Sequence, residues 1–340
     1  MTAPTTTPIT AGSMPPRRRS LGAARAASLI GRQGVLVALL LLILFGALRY
    51  DNFLGSYNVL SLLRYNAMFA LVALGMCFVI MTGGIDLSVG AVAAMASVVS
   101  ALVSPYGLVP ALAAGIGAGL LTGLVNGLVI AWGGILPFIT TLATMLAANG
   151  MALLLAGNQS VSVSWEGLFI ELGQGDLFGL PVPALIAAAA YLLGSLALNY
   201  TAFGRNTLAV GGNEEAARLM GLPVRRVKIA VYVLSGGLAG LAGVILASQF
   251  GAGQPTEGAG WELFAIAAVV VGGTLLTGGI GSVGATLSGV LLLGLIFNIL
   301  NFENGRGAIS LSAYWQSVIR GLFLLVVVVL QSRLTARRTG

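Results

Sequence analysis

The sequence predicts an all-α integral membrane protein. It has about ten transmembrane helices with a weak internal repeat, and both termini lie in the cytoplasm. Three observations carry this expectation. Of 340 residues, 57% are hydrophobic and only 8% are charged, whereas a soluble domain averages about a quarter charged. Apolar runs of membrane-crossing length recur along almost the whole chain. One unusual stretch also occurs twice. Thr82-Gly83-Gly84-Ile85-Asp86-Leu87-Ser88-Val89-Gly90-Ala91 returns as Thr277-Gly278-Gly279-Ile280-Gly281-Ser282-Val283-Gly284-Ala285, without the carboxylate and one residue shorter. Each copy sits between two apolar runs, so the simplest reading is two related hairpins of membrane helices.

The apolar segments lie near 33–50, 66–82, 87–103, 108–132, 138–156, 183–198, 229–250, 261–276, 283–300 and 313–331. A crossing needs roughly 20 residues, fewer where the ends are shielded. The two pairs that flank Gly83-Gly84 and Gly278-Gly279 have almost no linker. Non-helical backbone at that depth survives only when buried in protein or lining a cavity. With 49 glycines, close helix–helix approach is expected throughout the bundle. Pro137 opens its helix at the first position, where a missing N–H costs little.

Charge sets the expected orientation. Residues 1–34 read as a disordered basic cytoplasmic tail carrying Arg17, Arg18, Arg19, Arg25 and Arg32; 35–331 reads as the transmembrane domain and 332–340 as a second cytoplasmic tail. With the N-terminus inside, the inward segments collect Arg205, Arg218, Arg225, Arg226, Lys228, Arg333, Arg337 and Arg338. The outward ones collect Asp51, Glu166, Glu171, Asp176, Glu257 and Glu303, with Arg49, Arg64 and Arg306 as basic exceptions. This is the positive-inside pattern. It accounts for the net charge of +7 without nucleic acid as a partner; membrane lipid is the partner instead. No His is present, which removes the usual proton shuttle and metal ligand. No metal and no cofactor are expected. The single Cys77 reads as a buried packing residue. Of the outward loops, Gly157–Val182 is the longest; it either connects helices or forms part of a docking rim for an extracytoplasmic partner.

The one long inward loop, 199–228, contains a short helix signal. Asn213 is an N-cap, Glu214 and Glu215 complement the positive helix start, and Arg218 lies near its negative end. Gly221 suits the left-handed position after the helix and Pro223 bars continuation. Ala216, Leu219 and Met220 share one small apolar face, with Ala217 beside them. Two turns are marginal alone. The residues leave two supports open: a groove in a soluble partner or the lipid surface.

GGIDLSVGA (83–91), GLVNGLVI (123–130), LPFITTLATM (136–145), FGRNTLAVGGNEEAARLMGL (203–222), YVLSGGLAGLAGVILA (232–247) and WELFAIAAVVVGGTLLTGGIGSVGATLSG (261–289) together resemble the sugar permeases of ATP-binding-cassette importers, the ribose, xylose and galactose type. Within that family the VVGGTLLTGG segment and LNFENG (300–305) are most similar to a galactofuranose permease, although Ile280 stands where many members carry Arg. The resemblance implies three partners: an ATP-binding-cassette ATPase subunit, an extracytoplasmic sugar-binding protein, and a second permease subunit in a homo- or heterodimer. It implies a bacterial inner-membrane location. It also implies that Asn213 to Gly221 form the coupling helix that meets the ATPase. The chain itself has no G-x-x-x-x-G-K-[ST] stretch, so ATP hydrolysis is expected on the separate subunit and no enzymatic activity on this one.

The candidate gating motif is Gly83, Gly84, Asp86 and Ser88 with Gly278, Gly279 and Ser282. Asp86 and Ser88 either cap the following helix, the role also expected of Ser282 in the second copy, or take part in gating and sugar contact. Polar and aromatic candidates for the substrate path are Asn126, Phe138, Thr141, Asn149, Trp261 and Asn298, with Thr140 and Gln249 beside them; buried amides can equally tie helix to helix. The expected function is import of a monosaccharide, a pentose or hexose and in particular galactofuranose. The alternatives are a branched-chain amino-acid permease of the same superfamily, an ion-coupled secondary transporter, and a membrane scaffold.

Overall fold

The computed structural model describes residues 21–305 and, beyond them, 315, 318, 319, 321 and 322. The predicted last segment, 313–331, and both tails lie largely outside the described residues. The chain divides at Gly34. The first unit contributes only the start of helix α1 to the described residues, and the second holds the helical bundle.

In chain order the elements are α1 (Leu21–Arg49), α2 (Ser56–Met81), α3 (Val89–Val103) with a 3-10 turn (Ser104–Tyr106), α4 (Leu108–Gly133) and α5 (Pro137–Ala156). Then come β1 (Val161–Ser162), α6 (Glu171–Gln174), β2 (Asp176–Leu177), β3 (Leu180–Pro181), α7 (Val182–Tyr200), α8 (Ala202–Gly212) and α9 (Glu214–Leu219). The remainder is α10 (Val224–Phe250), β4 (Ala252–Gly253), α11 (Trp261–Val271) and α12 (Val283–Gly305). The strands form two small antiparallel pairs, β1 with β4 and β2 with β3. Seven described helices are long and apolar enough to cross a membrane, and the apolar part of α1 and α11 are shorter.

Three helices differ markedly from the expected segments. α1 begins at Leu21, twelve residues before the predicted 33 and within the stretch expected as a disordered tail. α2 begins ten residues before the predicted 66, because Tyr57, Asn58, Ser61 and Arg64 continue the helix while interrupting its apolar run. α8 was not anticipated within the 199–228 loop. Thr201 caps it by accepting the Gly204 N–H at 3.3 Å, the local signal that composition conceals.

α2 is the hub. Every residue from Asn66 to Met81 is buried, and an apolar helix enclosed on all sides belongs to the interior of a bundle. It is surrounded by α7, α10, α11 and α12. The closest helix pair is α4 with α10. Gly115, Gly119, Gly123 and Gly127 recur every fourth residue of α4, so they share one face. That face lies on α10 backbone at Gly236, Gly240, Tyr232 and Ile229, with Val244 beyond. This small-residue stripe lets the two backbones touch. Large apolar side chains point the other way: Leu40, Leu44 and Leu48 on α1, Leu121 and Trp132 on α4, Leu154 on α5 and Leu193 on α7 are all exposed. A bundle with polar groups inside and leucines outside fits a lipid surround.

Candidate functional site

The two Gly-Gly breaks meet. α2 ends at Met81, and the Met81 carbonyl accepts the Gly279 N–H at 2.9 Å. Gly83, Gly278 and Gly279 all have positive φ, at 77°, 84° and 76°, the region that glycine alone enters freely. The end of α8 completes the junction. Gly211 packs directly on the Met81 carbonyl and on Gly279 N, and Gly212 packs on Gly279. Any side chain at Gly211 would occupy the space of the Met81 oxygen. Three segments distant in sequence therefore share one glycine-only crossing.

Asp86 lies beside this crossing and is 1% exposed. Its Oδ1 accepts the Ser88 N–H at 3.0 Å and the Ser88 hydroxyl at 2.6 Å; its Oδ2 accepts the Ser235 hydroxyl from α10 at 2.9 Å. Ser88 Oγ in turn accepts from Asn126 Nδ2 of α4 at 3.0 Å, and Asn126 Oδ1 accepts from Thr144 of α5 at 2.8 Å. One polar chain thus ties the first break to α4, α5 and α10. The expected capping by Ser88 is corrected: its side chain makes no cap bond to α3, because its hydroxyl is committed to Asp86. Ser282 does face its own helix start, accepting the Ala285 N–H at 3.3 Å. Tyr232, one turn before Ser235 on α10, puts its hydroxyl against Gly84, without a hydrogen-bond partner among the described residues.

The short helix α9 is built as its residues suggest. Asn213 Oδ1 accepts the Ala216 N–H at 2.8 Å. At the other end Gly221 has φ 78°, its N–H bonds the Arg218 carbonyl, and Leu222 N–H bonds the Ala217 carbonyl, both at 3.0 Å. That pair of bonds is the Schellman closure. Glu214 forms ion pairs with Arg218 at 3.1 Å and with Lys228 of α10 at 2.6 Å. Glu215 and Arg218 are exposed. Ala217 is buried and seats the helix, while Leu219 and Met220 are 84% and 69% exposed. Two large apolar side chains thus project from a helix pinned on its other side. α9 also follows α8 directly, with Asn213 between them, so it adjoins the element that fills the glycine crossing.

The substrate-path candidates do not form one cluster: only Gln249 and Asn298 share a cavity. Asn126 is fully buried with its amide spent in the Asp86 chain, and Thr141 bonds its own helix at the Pro137 carbonyl, 2.9 Å away. Thr140 is likewise buried and bonds the Leu136 carbonyl at 3.3 Å. Phe138 is 54% exposed on the outside of α5, and Asn149 is half-buried on the same helix. Trp261 is buried against Phe69, ring centroids 4.8 Å apart. Asn298 pairs with Asn58 through two amide bonds of 2.8 and 3.2 Å. Sequence reasoning missed Lys228, Tyr232 and Ser235. Their signal is spacing: four and three residues apart, they form one face of α10. Cys77 is buried and accepts a hydrogen bond from Thr286 at 3.2 Å.

Comparison with known proteins gives a consistent answer. A model described as "Branched-chain amino acid transport system / permease component" matches residues 58–328. The ribose import permease protein RbsC of Bacillus subtilis (strain 168) is 43% identical over 306 residues, covering 89% of this chain and 93% of that protein. The L-arabinose transport system permease protein AraH of Escherichia coli (strain K12) is 44% identical over 298 residues, 87% of this chain and 89% of the relative. RbsC of the same Escherichia coli strain is 37% identical over 306 residues, covering 88% and 94%. No solved structure matches. With seven membrane-length apolar helices and permease relatives over nearly its whole length, this is a multi-pass protein of the cell's inner membrane. The chain belongs to the branched-chain amino acid transport system / permease component family.

Proposed function

We propose that this chain is the membrane-spanning subunit of an ATP-driven sugar importer, and that the sugar is a pentose. The observation that carries the reading is the 43–44% identity, over about nine-tenths of the chain, to permeases named for ribose and L-arabinose. The family description names branched-chain amino acids, but a family label spans many members. Whole-length relatives at this identity are the more specific guide, so the amino-acid reading ranks second. They also move the expected substrate from galactofuranose toward a five-carbon sugar.

The mechanism follows from how the crossing is built. Basic residues mark the end bearing α8 and α9 as cytoplasmic, and with it both termini. An ATPase subunit receives Leu219 and Met220 in a groove. Movement of α9 reaches the membrane by two links. One is α8, whose Gly211 sits on the Met81 carbonyl just before the first Gly-Gly break and, with Gly212, on the second break. The other is the Glu214–Lys228 pair, which pulls on the face of α10 that holds Tyr232 at Gly84 and Ser235 at Asp86. Asp86 and Ser88 thereby act as a gate hinge, and Gly83, Gly84, Gly278 and Gly279 supply the backbone freedom for two discrete packings. A sugar-binding protein delivers substrate at the opposite end, where 157–182 lies. ATP hydrolysis is on the partner, and a second permease completes the pathway.

The test is uptake of labelled ribose, arabinose, xylose, galactose, galactofuranose and leucine by cells with and without the gene. Loss of a pentose alone supports the reading; loss of leucine alone replaces it with the amino-acid one.

A further inference from the structure

A second polar site lies away from the glycine crossing, at the end of the bundle that carries the 157–182 segment. It is a cavity of about 680 Å³ between α2, α10, α11 and α12, with α6 over it. That size lies within the range of small-molecule pockets, about 300–1,000 Å³. Arg64, Asn66, Gln174, Gln249 and Asn298 supply its polar wall, and Phe69 stands among its aromatics, 4.5 Å from Phe264 between centroids.

Two atoms single this cavity out. Arg64 Nε and Gln249 Oε1 are buried and have no hydrogen-bond partner among the described residues. One is a donor and the other an acceptor. A buried polar atom without a partner is unfavourable, so each needs a ligand or water. A sugar hydroxyl both donates and accepts, and a polyol presents several of them to such a pair. Charge narrows the ligand further. Arg64 is the one charged residue in the lining, and its guanidinium is already paired with Asp176 of β2 at 2.6 Å. A zwitterion would find no free ammonium partner and a cation already neutralised. Gly294 is part of the construction, because any Cβ there would overlap the Asn66 amide. Gln174 Nε2 donates to the Gln249 main-chain carbonyl at 3.1 Å. With the Arg64–Asp176 pair, this fastens α6 and β2 across the cavity.

We infer that this cavity is a subsite for a neutral monosaccharide, held between the Gln249 amide and the Arg64 guanidinium, on its way into the bundle. The inference rests on the sugar-import reading above. The first arm of its test is therefore uptake by the unaltered chain; if no labelled sugar enters, the functional reading fails and not only the subsite. Given pentose uptake, Gln249→Leu keeps the side-chain bulk, removes the buried unpaired oxygen and leaves the fold intact. It is expected to reduce uptake about tenfold at normal membrane abundance, the factor of one lost buried hydrogen bond. Arg64→Lys keeps the charge beside Asp176 but loses Nε, and it is expected to do the same. A second readout uses Ser61→Cys, an exposed position on the cavity wall, in the full chain, where Cys77 is buried. Ribose or arabinose should slow its labelling by an impermeant maleimide, and Gln249→Leu should abolish that protection. Wild-type uptake by both variants, or protection that survives Gln249→Leu, overturns the subsite; water then fills the cavity.

Discussion

A matched pair of glycines on one helix tests how the bundle is held together. Gly119 and Gly117 lie two residues apart on α4. A methyl at Gly119 would overlap the Gly236 carbonyl oxygen and stand 2.8 Å from Gly240 Cα and 2.9 Å from its nitrogen; at Gly117 it meets nothing within 4 Å. The obstacles at Gly119 are all backbone, so no rotamer change relieves them and α4 must move off α10. Overpacking of this kind costs about 1–3 kcal/mol. Alanine at Gly117 removes a flexible residue from a helix interior and gains up to about 1 kcal/mol. The propensity gain is common to both positions, so the two variants should differ by the overpacking cost alone, about 1–3 kcal/mol, with Gly119→Ala the less stable. Thermal unfolding of the purified chain in lipid nanodiscs reads this directly: Gly119→Ala melts lower than wild type, and Gly117→Ala equals or exceeds it. Gly119→Ala also separates Asn126 on α4 from Ser235 on α10, which bracket Asp86, so uptake should fall with stability. A Gly119→Ala protein that melts at or above the Gly117→Ala one would refute the claim that backbone contact sets the α4–α10 spacing.

Two further substitutions probe the crossing and the short helix. Asp86→Asn keeps an acceptor for Ser88 and lets the Ser235 hydroxyl accept from the new amide, so it should fold normally. Asp86→Ala strands three donors and should lower stability by about 3 kcal/mol or more. If Asp86→Asn folds yet loses uptake, the carboxylate gates as well as braces; if it transports normally, its role is bracing alone. Asn213→Ala removes the only side-chain cap of α9 and costs about 1 kcal/mol locally. It should weaken binding of the ATPase subunit, measured by co-purification, while Asn213→Ser restores it. Equal co-purification of all three chains would exclude α9 as the docking helix.

The long apolar helices could be read from the sequence because lipid imposes one strong rule. α3, α4 and α5 fall within two residues of their expected bounds, where Gly107, Gly134 and Pro137 punctuate the chain. The same rule hid the first ten residues of α2, whose Arg64 and Ser61 look like loop but line an internal cavity. It also hid α8, too polar for a span and too glycine-rich for a confident helix. The α9 caps were legible because every partner lies within nine residues. The Asp86 site was not. Ser235 is 149 residues away, and no local pattern announces a hydroxyl that arrives on another helix. The scatter of most path candidates has a related reason. An amide such as Asn126 reads as available in sequence, and only the fold shows both its ends consumed. The paired recurrence of TGGI did forecast something physical, since the two copies meet at the Met81–Gly279 hydrogen bond.

The central claim is that a soluble ATPase drives this bundle through α9. The most direct measurement is labelled-pentose uptake in a strain lacking the gene, complemented by the wild-type chain or by the L219E/M220E double variant. Both side chains are largely exposed, so the variant should reach the membrane in normal amount. The account predicts full uptake with the wild type and none with the variant. Pentose uptake by the variant at the wild-type rate, following an ion gradient instead of ATP, would contradict it.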